Sequence, residues 1–362
     1  MNSKVAMVAL QVLCPTIDFH EGPVSHVPII FDGKEQVDSL VEENIAIAKE
    51  DWDSFETSWD FRKHPLARGN SVRGAYELWE KECRRRFETM RKNEEEINRI
   101  LIKAYNLEQE ITPEVDPKEI TVYRADKTRE IKSLISYAVG CMFGRYSLER
   151  EGIVFAGGMW NGDNSRQFPP DKDGIIPISD DEYFQDDIVN RFAEFIKTLY
   201  GQNNLEENLS FIAEALGGKG NSREVIRNYF LTEFYSDHLK VYQKTPIYWM
   251  FDSGKKNGFK CLVYMHRYKE DTVARIRTDY LHEQQARYRT AITDLEQQSS
   301  HANASERVRI SKKLDTLRAQ AEEAKVYEEK VHHLADQMIR LDIDKGVKDN
   351  YEVLSDILAK LK

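Results

Sequence analysis

Residues 246–268 read PIYWMFDSGKKNGFKCLVYMHRY, and this stretch decides how the rest of the chain is read. Two runs rich in Ile, Tyr, Trp, Phe and Val flank the turn-forming DSGKKNG, the pattern of a β-hairpin. It stands among helix-like sequence. After it, Val273, Ile276, Tyr280, Tyr288, Ile292 and Leu295 mark a long amphipathic helix from about Thr272 to Gln298. The polar SSHANAS at 299–305 breaks that helix, and Leu314, Leu317, Ala321, Ala324, Tyr327, Val331, Leu334, Met338 and Leu341 then recur at alternating three and four spacing. The two arms are expected to pair as an antiparallel, coiled-coil-like hairpin, each arm about 40 to 55 Å long at 1.5 Å per residue. A short last helix is expected from Tyr351 to Leu361.

Upstream of the hairpin the signals are mostly helical. Val37, Leu40, Val41, Asn44, Ile45 and Ala48 share a helical spacing, and the acidic, aromatic DWDSFETSWDF follows as a loop or broken helix. A long helix is predicted from Val72 to Tyr105 on Tyr76, Trp79, Cys83, Phe87, Met90, Ile97, Leu101 and Ala104, with Ser71 as its cap. The Pro-interrupted ITPEVDPKEITVY ends it. Ile131, Leu134, Ile135, Ala138, Val139 and Met142 mark another buried helix. From Gly157 to Pro177 the chain is rich in Gly, Asn, Asp and Pro and is expected to be loop. Beyond it, Asp180 is the expected cap of a helix carrying Ile188, Phe192, Phe195, Ile196 and Leu199, a second helix stops at Gly217 and Gly218, and Ser222 starts a third. The first thirty residues read as a short helix, a Pro turn and two extended pieces ending in Val27, Ile29 and Ile30, too little for a domain and more like the tail of one.

The fold class is therefore mainly α (α+β). Five segments are expected: 1–33, a domain tail; 34–156, a helical domain; 157–270, mixed helix and β-hairpin; 271–342, the helical hairpin; and 343–362, a C-terminal helix. At 362 residues and 41% hydrophobic content the chain can bury real cores. No apolar run approaches the roughly 18 residues of a membrane span, and the N-terminus lacks a secretory pattern. Cys14, Cys83, Cys141 and Cys261 form no CxxC pair and sit among apolar neighbours, as buried free thiols do in a reducing cytoplasm.

No constellation able to carry out catalysis alone is found. GGKGNS around Lys219 lacks the Gly-x4-Gly-Lys-Ser/Thr spacing of a phosphate loop and reads as a helix stop. FAGGMWNGDN at 155–164 lacks GxGxxG and its strand-turn-helix frame. His332 and His333 are adjacent, so on a helix they point about 100° apart and do not chelate one ion. Glu114, Asp116 and Lys118 of EVDPK resemble a nuclease metal set but lack flanking apolar strands. Catalytic, cofactor-binding and metal-ligating residues are accordingly expected to be none.

The basic residues offer more. A net charge of −10 excludes global attraction to nucleic acid, so a contact must be local. Between Lys244 and Arg289, ten selected basic positions on the hairpin and the following helix face five acidic ones. The candidate DNA-contacting residues are Lys244, Lys255, Lys256, Asn257, Lys260, Arg267, Arg275 and Arg277. The other reading is a solvated surface on a protein-interaction scaffold, with the helical hairpin docking a partner and no direct DNA contact.

The strings DWDSFETSWDF, ISYAVGCMFGRYSLE, DDIVNRFAEFIK, REVIRNYF, KTPIYWMFDSGKKNGFKCLVYMHRY, VHHLADQ and KGVKDNY, in this order, resemble the C-terminal part of the PglX family, the adenine-specific DNA methyltransferases of BREX phage-defence systems. NSKVA and PTIDFHEGPVSHVPII resemble the end of that family's target-recognition domain. The resemblance implies transfer of a methyl group from S-adenosyl-L-methionine to a flipped adenine by an Asn-Pro-Pro-Tyr motif. Asn-Pro-Pro occurs nowhere in this sequence, so no catalytic residue carries over. What the resemblance implies for this region is target recognition and assembly, with double-stranded DNA, the missing methyltransferase half and other BREX proteins as partners, and no cofactor in this chain.

Overall fold

The computed structural model describes residues 3–14, 20–30, 32–160, 162 and 165–361. The chain is mainly α with one small antiparallel sheet. It forms two compact units, Met1–Phe61 with Tyr76–Asp126, and Arg62–Ala75 with Lys127–Lys362. The four cysteines are free and buried.

The first unit holds α1 (Lys4–Leu13), α2 (Glu21–Ser25), α3 (Lys34–Trp52) and most of α4 (Val72–Ala104). Ser3 caps α1 by accepting the Ala6 N–H at 3.3 Å. α3 and α4 run antiparallel, as their polar pairs show: Arg86 reaches Glu50 at 2.9 Å, and Asn93 donates to Glu43 at 2.8 Å and to Asn44 at 3.0 Å. Ile47, Phe87, Met90, Val115, Ile120 and Val122 form the apolar core of this pair, so the Pro-rich segment after α4 folds back over it. Two expectations change. Val41 and Ile45 are exposed, because the inward face of α3 runs through Ile47 and Asp51 instead. The segment from His20 to Ile30 carries the helix α2 rather than two extended pieces; residues 15–19 of the Pro turn lie outside the described residues.

In the second unit Ser71 accepts the Gly74 N–H at 3.1 Å, the expected cap of α4. α5 (Lys127–Phe143) is apolar nearly all round and is wholly buried from Ile131 to Phe143 apart from Lys132, Ser133 and Ser136. It packs with α6 (Ile188–Tyr200) and α7 (Leu205–Ala215), on which α8 (Ser222–Thr232) packs in turn, followed by α9 (Phe234–Val241) against α8. The cap of α6 is Asp187, not Asp180: Asp187 accepts the Val189 N–H at 3.0 Å and, fully buried, also receives Arg227 at 2.8 Å. Asp180 instead accepts from Gln320 at 3.0 Å.

The sheet order is β1-β3-β2, with β1 at Ile175–Pro177, β2 at Tyr248–Asp252 and β3 at Lys260–Tyr264. Tyr248 pairs with Tyr264 and Asp252 with Lys260, the hairpin expected from the sequence. The end of the supposed loop 157–177 supplies the third strand, Ile176 opposite Leu262. Both faces of the sheet are covered, which is why the strands read as continuous apolar runs. Tyr248 stacks on Phe143 and His238 on one side. Trp249, Phe251, Cys261 and Val263 join Ile276, Leu281, Tyr288, Leu317, Tyr327 and Val331 on the other.

Those last residues come from the helical hairpin, α10 (Thr272–Arg275), α11 (His282–His301) and α12 (Ala304–Ala335). A π-helical turn, Ile276–Leu281, joins α10 to α11, where uninterrupted α-helix was expected. The break between the arms is confined to Ala302 and Asn303; Asn303 and Glu306 form a capping box that starts α12. α12 ends at Ala335, so Met338 and Leu341 continue the spacing but not the helix. The C-terminal helix α13 is Gly346–Val353, earlier and shorter than expected. Residues 357–359 instead pair with the open edge of β2: Asp252 N–H donates to Ile357 O at 3.1 Å and Ala359 N–H to Met250 O at 2.8 Å. An unpaired strand edge is thereby covered.

Candidate nucleic-acid interface

The β2–β3 turn is built from local and distant parts. Gly254 N–H donates to Asp252 Oδ1 at 2.9 Å and Phe259 N–H to Ser253 Oγ at 2.8 Å. Asn257 takes the left-handed conformation at φ 56°, which Asn tolerates better than most residues. Glu323 of α12 then fastens the turn, accepting from Ser253 Oγ at 2.9 Å, Lys256 N–H at 2.9 Å and Gly258 N–H at 3.0 Å. Gly258 lies so close to α12 that a Cβ would stand 2.5 Å from Gln320 O. Its own carbonyl accepts from Gln284 at 3.1 Å and Tyr288 at 2.9 Å of α11. The result is a fixed turn from which Lys255 and Lys256 extend exposed side chains.

The remaining candidates do not gather there. Lys260 is buried; its ammonium donates to Leu231 O at 3.2 Å and lies 3.3 Å from Asp252. Arg267 is buried too, donating to Asp171 O at 2.7 Å and Lys172 O at 2.9 Å, with its guanidinium 4.0 Å from the Trp160 ring. Arg275 pairs with Asp173 at 2.8 Å, and Arg277 with Glu328 at 2.6 Å. Lys244 is exposed, but it precedes β2 while Lys255 follows it. At about 3.3 Å per strand residue, the two lie at opposite ends of the hairpin. The excess of basic residues in the sequence is thus divided among internal bonds, ion pairs and two separate surface points.

Behind Arg275 lies a carboxylate group. Asp173 Oδ2 accepts from Arg275 and, at 3.0 Å, from Tyr280; Asp186 Oδ2 accepts from Tyr280 at 2.9 Å. One phenolic proton cannot serve two carboxylates at once. Burial, with Asp173 alongside, pushes the neighbouring Asp171 up to about 7. Among the described residues no group of three or more His, Cys, Asp or Glu is arranged to hold a metal ion.

The weak motifs resolve into structure. Gly217 and Gly218 close α7 by donating to Glu214 O and Ala213 O, and Asn221 caps α8. In the glycine-rich stretch 155–162, Trp160 packs edge-on to Phe155 at 4.9 Å and against Gly144, which has no room for a Cβ, whereas a Cβ at Gly158 would meet nothing within 4 Å. Residues 161, 163 and 164 lie outside the described residues. Asp116 folds back on the Lys118 N–H at 2.9 Å in an ordinary Asx turn. His332 lies 3.4 Å from Asp336 on the exposed end of α12, and His333 is exposed beside it.

Sequence reasoning missed Glu323 and the row of cations at the start of α12. Nothing near Glu323 in the chain signals its contact, 65 residues away, with Gly258.

No protein-family profile matches the chain. It is 42% identical over 363 residues to the adenine-specific methyltransferase PglX of Lacticaseibacillus casei (strain Zhang), a match covering 97% of this chain and 30% of that protein. It is 38% identical over 393 residues to the adenine-specific methyltransferase BrxX of Escherichia coli O9:H4 (strain HS), covering 100% of this chain and 32% of that protein. The chain is homologous to PglX and BrxX. It spans about a third of the length of these curated relatives. Identity at this level along nearly the whole chain leaves no room for a chance likeness of motifs. Among the described residues no helix is long and apolar enough to cross a membrane.

Proposed function

We propose that this chain is the noncatalytic C-terminal DNA-recognition and assembly region of an adenine-specific DNA methyltransferase of the BREX type, acting in host DNA methylation and phage defence in the cytoplasm. The observation that carries this is the homology along 97% of the chain to methyltransferases more than three times as long. The role assigned to the region follows from the fixed turn, which presents Lys255 and Lys256 with no carboxylate partner among the described residues. Phosphates attract such cations whatever the base sequence. Holding the turn rigid from behind lowers the entropy lost when it docks.

S-adenosyl-L-methionine is the methyl donor such an enzyme uses. The donor site and the base-holding motif are assigned to the methyltransferase part. Other BREX proteins are the expected assembly partners, with the helical hairpin as the natural lever.

Duplex DNA titrated into the purified chain at rising salt tests the reading. Binding that weakens steeply with salt and is lost in Lys255→Glu with Lys256→Glu is expected. No shift at low salt, even with the methyltransferase part supplied, overturns it and leaves a protein-docking role for the arms. The chain alone is expected to transfer no labelled methyl group to DNA.

A further inference from the structure

We infer that the outer half of α12 carries a second DNA-backbone contact, made by Arg309, Lys312 and Lys313 in line with the Lys255–Lys256 turn. This rests on the proposed role in DNA recognition and extends it to residues on another element. Around α12, Gln320, Glu323 and Tyr327 form the side covered by the sheet: Gly258 abuts Gln320, Glu323 holds the turn, and Phe259 stacks on Tyr327 at 6.0 Å. At 100° per residue, the same side continues outward through Thr316, Lys313, Lys312 and Arg309. Beyond the end of the sheet all four residues are exposed.

Two acids lie near the row: Glu306, three residues before Arg309, turns back to accept the Asn303 N–H at 3.2 Å, and Asp315 lies about 60° around the helix from Lys312. Arg309, Lys312 and Lys313 make no ion pair with any described residue. Arg309 and Lys313 also border an open cleft of about 680 Å³ between the tips of the arms, beside His301 and Leu295. From Arg309 to Glu323 the helix covers about 21 Å, the axial length of about six phosphates on one DNA strand at 3.4 Å each. A straight helix side carrying three cations outside any ion pair, continuing from a rigid basic turn, suits the duplex backbone better than an acidic peptide, whose charges have no fixed spacing.

The test compares three forms of the whole chain by DNA affinity against salt. Arg309→Ala with Lys312→Ala and Lys313→Ala is expected to lower the slope of log affinity on log salt by about 2.7, at 0.9 per lost phosphate contact, equally on unrelated sequences. Arg309→Lys with Lys312→Arg and Lys313→Arg is expected to retain the slope, since charge and not shape carries the contact. An unchanged slope in the alanine variant, with binding still lost in the Lys255→Glu, Lys256→Glu chain, overturns this inference and leaves the proposed function standing. Absence of any DNA binding by the unaltered chain, with the methyltransferase part supplied, overturns both.

Discussion

The β2–β3 hairpin and the tip of the α11–α12 hairpin are both rich in basic residues, and they differ in that the first, besides exposing Lys255 and Lys256, also turns basic residues inward. In the β-hairpin and the residues just after it, Lys260 and Arg267 are spent inside the protein on backbone carbonyls of distant segments. At the tip, Arg309, Lys312 and Lys313 stand in solvent with no partner among the described residues. A guanidinium taken out of water must have its donors satisfied, so a buried arginine is a structural bolt, whereas an exposed one keeps its charge available. Counting charges along a sequence does not separate these cases.

The comparison can be broken most forcefully at Arg267. Arg267→Met leaves the Asp171 and Lys172 carbonyls without their donor, and is expected to cost about 3–5 kcal/mol in denaturant unfolding. In the fraction that stays folded, the salt slope of DNA binding should not change. A loss under 1 kcal/mol would show that Arg267 is no bolt.

Acid probes the same buried layer. His64 and His238 are held neutral by burial, each pushed down to about 3. His238 Nε2 accepts the Ile247 and Tyr248 N–H groups at 3.2 Å each, which an imidazolium could not do. The unfolded rings bind protons below about 6.5, so their stabilisation is complete above that pH and falls as pH drops toward 3. At pH 5 the loss is about 2 kcal/mol per ring. Asp171 acts in the opposite sense: raised to about 7, it favours the folded state most below pH 4 and loses that advantage as pH rises to 7. Urea unfolding at pH 5 and pH 7 should therefore show a smaller difference in His238→Gln than in the unaltered chain, by about 2 kcal/mol, and a larger one in Asp171→Asn. Equal pH dependence in all three would remove the buried-ring account.

A smaller effect is expected at the joint between the two regions. Glu323→Ala removes the acceptor shared by Ser253, Lys256 and Gly258, and should cost about 1.5 kcal/mol while speeding amide exchange at Lys256 and Gly258. The least effect is expected at the tip, where Lys312→Ala with Lys313→Ala should leave stability within about 0.5 kcal/mol. A larger loss would mean that the tip cations are structural after all.

How far the sequence could be read follows the same divide between local and distant contacts. Ser71 caps α4 and the apolar spacing of α5 predicts its burial, because both depend on neighbours within one or two turns. The hairpin was readable because its turn chemistry is local as well. β1 was not: Ile176 meets Leu262 across 86 residues, and Gly174 to Pro177 carries no strand pattern of its own. The C-terminal helix was placed too late because alternating apolar residues at Leu354, Ile357, Leu358 and Leu361 suit a helix, while the edge of β2 needed backbone partners. The candidate contact residues fared unevenly for the same reason. Lys255 and Lys256 follow from a turn signal, but what buries Lys260 and Arg267 arrives from Leu231, Asp171 and Lys172.

The wide turn at Ile276–Leu281 has a consequence for how the chain tolerates deletion. A π-helical turn is what remains when one residue is inserted into an α-helix and the helix absorbs it without breaking. Everything beyond it is rotated by about 100° relative to an uninterrupted helix. That rotation brings Gln284 and Tyr288 round to the Gly258 carbonyl. Deleting one residue between 276 and 281 would restore regular geometry and still misalign the whole outer arm, a larger disturbance than a substitution on its outer face.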